Sequence, residues 1–591
     1  MKTNIIKKAL SFIAAAFITT VASDAQAVVF LWNNTGTNWT SPTSWTNGVQ
    51  PTFTSSSTTT DEIQFGNVGV SNNTVILTST RAAQNITFLT NANAYNINSF
   101  NGAQTLSSRA GITNNSTATQ TFNILVENAN NSNTWFQTAG GALVFNNVAS
   151  LTTASSSTSR LLTLAGDGAF TFNNELRQGG SATAGRVLYT GGGSVTFNGT
   201  NTLGGGFEIK GGGTVNVNGG TGMGTGLITI AAATGTTNGP KLIINTTNGL
   251  SVANSFKGSS STATMGTLDL LAGNDANAVT TFVVNQYQGN NMSFTNHGAG
   301  KTLLQFTNVA NTLTSSTDTS GGRRLINNSA SLTVQFDGTL DIGSTTADVN
   351  TVGGAGDFIF RGSLFNTSSV LRGLNKTGTG TVTLQAVNTY NGDTTVQEGK
   401  LVVNGSVGNV MVNSLGTLGG SGTLGAVTLN GGTVAPGNSP GLLTMASLDA
   451  SNGSFIFQIG APTTRGITYD AINITNLFTL GTNTAFTFET LDNYAFADGN
   501  TYDLFDWGSV DMTNFNVSVL EAALPSLAST PDLSWNVSQF TLDGSVSVSI
   551  IPEPTALELI TMPWQALKAL CRMQAEFAEQ NPVIATMQTG I

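Results

Sequence analysis

The chain has 591 residues, a formal net charge of −10 and charged side chains at only 9% of positions. An acidic chain with no Lys/Arg run lacks the electrostatic footprint of a nucleic-acid binder, and a single cysteine, Cys571, excludes an internal disulfide. Disorder is excluded by 39% hydrophobic content with 32 phenylalanines, set in a period-two alternation that can bury a core.

At the N-terminus, Lys2, Lys7 and Lys8 precede an apolar stretch from Ala9 to Val21, and Ala25-Gln26-Ala27 supplies the small-x-small cleavage site of a secretory signal peptide. The apolar run is short for a bilayer span and is diluted by Thr19, Thr20 and Ser23. Export by the general secretory pathway is therefore expected, with residues 1–27 removed and Val28 opening the mature chain. Residues 28–100 read as a cap and first strands. There Trp32, Trp39 and Trp45 lie among Asn, Thr and Ser, an apolar cover for the open end of a stack or, alternatively, a carbohydrate-stacking platform.

The span 101–445 is organised by repetition. Residues 373–405 read GLNKTGTGTVTLQAVNTYNGDTTVQEGKLVVNG. Val382 and Leu384 alternate with threonines, Asn388 to Gly392 makes a corner, and Val396, Leu401 and Val403 resume the apolar face. A diluted copy runs through Val195, Phe197, Asn201 to Gly205, Ile209, Val215 and Val217. Repeats this short imply stacking: inward apolar columns, Gly or Asn at positive-φ corners, and Asn and Thr laddering between rungs. With roughly 20 to 25 residues per rung and about 4.8 Å between rungs, about 400 residues build a rod on the order of 80 to 100 Å long. The expected fold is all-β, a right-handed parallel β-helix with a C-terminal β-rich cap; a β-sandwich array is the alternative.

The 373–405 text resembles the autotransporter-associated β-strand repeat of passenger proteins, with Gly373, Lys376, Gly378, Gly380, Asn388, Tyr390, Gly392, Gly399, Asn404 and Gly405 at signature positions. Leu418 to Leu424 and Ala435 to Gly441 resemble the turn that closes such repeats, so the resemblance covers about residues 355–445. It implies an exported, passenger-type solenoid and supplies no activity.

Residues 446–550 read as longer, more aromatic strands: Ser454 to Ile459, Tyr469 to Leu480, Thr484 to Leu491, Tyr502 to Trp507 and Leu533 to Val548. This region is similar to the one preceding a PEP-CTERM sorting signal, and Pro552, Glu553 and Pro554 stand where that signal opens. The tail 551–591 departs from the family pattern of an apolar helix and basic cluster, because Glu558, Pro563, Lys568, Arg572, Glu576 and Glu579 interrupt it. Trp564 to Gln580 reads as a short amphipathic helix that does not span a bilayer. The residues after the repeats also lack the strand pattern of an outer-membrane barrel.

Chemistry-bearing residues are sparse. Asp167, Glu208, Asp269, Asp275, Asp337, Asp341, Asp348 and Asp357 stand apart, mostly at expected corners. Asp337 and Asp341, with Arg323 and Arg324 upstream, form the nearest set for a polysaccharide lyase. The one histidine, His297, reads as a loop residue, and strings such as Gly191 to Gly193 lack the Lys-Ser/Thr of a phosphate loop. No catalytic, cofactor or metal residue is expected. The residues point to a non-enzymatic, adhesin-like repeat protein of the Gram-negative envelope or its surroundings, binding extracellular glycans, matrix or other cells. The alternative is a polysaccharide-active β-helix enzyme, which needs three or more acids and a base converging on one rung face.

Overall fold

The computed structural model describes residues 27–552 except 52–59, 67–72, 131, 153–159, 180–184, 219–222, 232–238, 246–251, 259–264, 272–278, 290, 314–321, 344–348, 368 and 438–439, together with 565, 568, 569 and 572. Ala25, Glu553, Pro554, Cys571, Asp275 and Asp348, and most of the expected amphipathic tail, lie outside the described residues.

Alternation of small polar and large apolar residues places one side of each strand inside. In Ser194–Phe197, Val195 and Phe197 are buried while Ser194 and Thr196 face outward. Between Thr74 and Leu384 such strands do not pair with their sequence neighbours. Ala142–Phe145 pairs in parallel with Ala169–Phe172, while Leu161–Ala165, which lies between them in sequence, pairs with Arg186–Tyr189. This interleaving, followed from Val410 by longer strands that pair consecutively, gives one 39-stranded sheet wound on itself, a parallel β-helix. Pairing runs from Val29–Trp32 against Glu62–Phe65 to Ala471–Leu480 against Phe505–Asp511, and so crosses both residue 100 and residue 445.

Register stacks like on like. The rings of Phe122, Phe145, Phe172 and Phe197 follow one another at 5.1, 5.0 and 5.2 Å between centroids, close to the rung spacing of about 4.8 Å. Phe306, Phe336 and Phe360 make a second column at 4.7 and 5.3 Å. Within the repeat text the rung shortens: Thr394 aligns with Val410 and Val410 with Val427. Strands here run through their corners, as in Thr394–Val403, where Gly399 has φ 72°, a conformation open to glycine at no steric cost.

Both ends of the stack are covered. At the first rung, Trp32, Trp39 and Trp45 are buried and meet edge to face, with Trp45 5.1 Å from Trp32 and 5.2 Å from Trp39. The Trp45 indole donates to Trp39 O at 2.8 Å. The tryptophans are thus a cap and offer no aromatic platform to a sugar. At the other end lie an antiparallel sheet of Thr501–Asp503, Ser545–Ile550 and Leu533–Asn536 and two short helices, Ser518–Ala523 and Phe540–Asp543. The expected single strand Leu533 to Val548 is therefore broken: Phe540 is buried as part of a helix, and Gly544 at φ 82° turns the chain back. The expected Tyr502 to Trp507 strand divides at Leu504, with Thr501–Asp503 in the cap sheet and Phe505–Asp511 in the parallel stack. No helix among the described residues is long and apolar enough to cross a membrane.

Candidate binding surface

The repeat-signature residues converge on the corners of the rungs and act there on backbone. In Gly373–Thr377, Leu374 points inward, and period two carries Lys376 inward as well, into an apolar column between Val352 and Val396. Its ammonium donates to Glu398 O at 2.8 Å, Gly378 O at 2.6 Å and Thr377 O at 3.1 Å. Burial holds this ammonium down at about 8, against the opposing pull of Glu398 and Asp357. Asn388 accepts from Leu364 N at 2.8 Å and donates to Ala386 O and Ser406 O, tying three successive rungs. The buried Tyr390 hydroxyl meets Thr394 Oγ1 at 2.5 Å, and Asn404 accepts from Ser421 N. Gly378 turns its corner at φ 68°. At Gly380, Gly392 and Gly405, a Cβ would strike Gly356, Arg372 and Ala386 backbone respectively, while Gly373 lies against Asp393 O. These ten residues hold the corners together.

The acids fall out similarly. Asp337 accepts from Gln305 and Gln335 side chains at 2.6 Å each and faces Arg361 at 3.8 Å. Asp341 accepts from Gly343 N at 2.8 Å, a turn-closing bond. Asp167 and Asp357 accept from Gly192 N and Thr381 N, and Glu208 pairs with Lys210. Asp470, deeply buried, accepts from Gly441 N and Gln458 N at 2.7 Å each. Burial outweighs those two bonds and pushes its carboxyl up to about 7.

One cluster was not legible in the sequence. Asp269, with no side-chain exposure, lies 2.6 Å from Lys241 Nζ and against His297 Nδ1. His297 is therefore held by a carboxylate two strands away in sequence and one rung away in space. Only the register Ile243–Asp269–Thr295 brings these residues together.

Among the described residues, an asparagine ladder runs along the outside of the core. Asn123 Nδ2 donates to Asn98 Oδ1 at 2.8 Å, Asn146 to Asn123 at 2.7 Å, Asn173 to Asn146 at 2.7 Å, Asn198 to Asn173 at 2.7 Å and Asn218 to Asn198 at 3.0 Å. Four of the six residues directly follow the buried Phe column, as Phe122-Asn123, Phe145-Asn146, Phe172-Asn173 and Phe197-Asn198. The recurring Phe-Asn pair is the signal that sequence reading could have used.

Residues 374–403 match the passenger-associated transport repeat. An extracellular serine protease of Serratia marcescens is 52% identical over 73 residues, which is 12% of this chain and 7% of the relative. A second protein of that name from the same organism is 51% identical over 55 residues, 9% of this chain and 5% of the relative. The chain thus matches a small fraction of the length of these curated relatives. No solved structure matches. With its signature residues seated at the corners of a parallel β-helix, the chain carries an autotransporter-associated repeat at residues 374–403.

Proposed function

We propose that the protein is an exported, non-enzymatic rod of the cell surface or extracellular space, adhesin-like, presenting a polar solenoid flank to glycans, matrix or other cells. The observation that carries this reading is an unbroken parallel β-helix, covered at both ends, whose repeat belongs to passenger proteins. The relatives' name places them outside the cell, and the Ala25-Gln26-Ala27 cleavage site agrees with a leader. To test it, cells producing the chain with an epitope tag after Val28 are treated with protease while intact. The tag is expected in the medium or shaved from the surface; a tag protected until the periplasm is opened would defeat the proposal.

A polysaccharide-cleaving enzyme is the second reading, favoured by the Asp269–His297–Lys241 cluster, in which a buried carboxylate orients an imidazole. It predicts release of reducing ends from a uronate polymer by the purified protein and loss of that release in His297→Ala.

A further inference from the structure

From Thr74–Leu77 through Asn96–Ser99, Thr119–Asn123, Ala142–Phe145, Ala169–Phe172 and Ser194–Phe197 to Thr214–Val217, seven stacked strands contain no charged residue. They are in register, so outward side chains form columns. One column runs Thr121, Val144, Thr171, Thr196, Asn216, and the asparagine ladder runs beside it. With about 4.8 Å between strands and about 6.7 Å between alternate residues of a strand, the outward positions make a flat lattice about 30 Å long. Each of the four inner ladder carboxamides, Asn123, Asn146, Asn173 and Asn198, uses one N–H and one oxygen lone pair along the axis. The second N–H and second lone pair are thereby held outward in one repeated orientation.

Such a face discriminates by its chemistry. Having no charge, it offers an ionic ligand no counter-ion, so a uronate carboxylate laid on it would lose water without an opposite charge to replace it. Having no aromatic side chain in these columns, it cannot grip one sugar by stacking. A dissolved, flexible chain would lose conformational freedom at every residue it laid down, whereas a ligand already ordered loses little. What fits is a flat, neutral array of hydroxyls. We propose that this face is the glycan-contacting surface of the rod, and that its ligand is a neutral, insoluble polysaccharide whose chains are already packed side by side. The proposal rests on the adhesin-like reading above.

The purified full chain is sedimented with cellulose, chitin and insoluble β-glucan particles at low and high salt, with soluble polygalacturonate as competitor. Adsorption to at least one solid is expected, insensitive to salt and competitor. Thr171→Lys with Thr196→Lys should reduce it about tenfold by pressing uncompensated charge on to the solid, with the melting temperature unchanged. Thr134→Lys with Thr163→Lys, on a different flank, should leave it intact. Equal adsorption by both double variants would overturn the assignment of the face while leaving a glycan-binding rod. A protein that is shaved from intact cells yet adsorbs to none of these solids would overturn the ligand class while leaving surface display standing.

Discussion

Lys376 occupies a place where its neighbours above and below are valines. Its ammonium is tolerated because three carbonyls of the corner take its three protons. Lys376→Met keeps the column filled but orphans those carbonyls, so a loss of about 1–3 kcal/mol is expected in urea unfolding. The sign of its pH dependence follows from the depressed ammonium. Between about 8 and the usual lysine range the unfolded chain holds the proton and the folded chain does not, so stability rises with pH across that window and the methionine variant lacks the rise. Asp470 works in the other direction. Its carboxyl, raised from 3.8 to about 7, stays protonated in the folded protein while the unfolded chain has ionised. That contribution is fully present below 3.8 and is lost as pH rises through 7, so the melting temperature should fall over this interval in the wild type and not in Asp470→Leu. The inward position of Lys376 was readable, since alternation from Leu374 places it inside. The environment of Asp470 was not, because its donors Gly441 and Gln458 stand 29 and 12 residues away in the chain.

At the level of strands, two adjacent ladders do different work. Phe172 is sandwiched between Phe145 and Phe197 in the core, and Phe172→Ala should cost about 3–5 kcal/mol through lost burial and the cavity left behind. Asn173, next in sequence, gives one hydrogen bond and accepts one at the surface, where water competes. Asn173→Ala should cost about 1 kcal/mol. Paired denaturant titrations of the two variants check the ratio; an asparagine effect as large as the phenylalanine one would mean that the ladder, not the aromatic column, sets rung cohesion. Alternation and corner residues made the parallel stack legible, as in Val382, Leu384, Val396, Leu401 and Val403, all buried. Rung register was not legible. The Phe column shifts its spacing from rung to rung, so a contact such as His297 with Asp269 depends on loop lengths that alternation does not encode. The C-terminal strands misled for a related reason: Leu533–Asn536 and Ser545–Ile550 pair antiparallel around a short helix anchored by the buried Phe540, and period-two text runs into Phe540 without announcing the change.

For the molecule as a whole, stability is a sum over neighbours, because each rung touches only the next. Trp45→Ala should therefore loosen one end: hydrogen exchange should quicken in Val29–Trp32, Glu62–Phe65 and Arg81–Phe88 and stay unchanged near Phe455 and Phe478. Uniform acceleration along the chain would show that the stack melts as one unit. Charge is distributed unevenly as well. Every base between residues 446 and 550 reduces to Arg465, against eleven acids, so the formal −10 resides in this span and the remainder is balanced. The two covers carry a consequence for how such molecules coexist at high concentration. Stacked phenylalanines, asparagine ladders and parallel strands at about 4.8 Å are also the grammar of amyloid fibrils, in which any exposed terminal strand recruits the next molecule. Here, among the described residues, the indoles sit over the first rung and the antiparallel sheet with its two helices lies beyond the last parallel strands. The chain builds a fibril's interior between two covers, so a lesion in either cover is expected to make the rod a seed for end-to-end association.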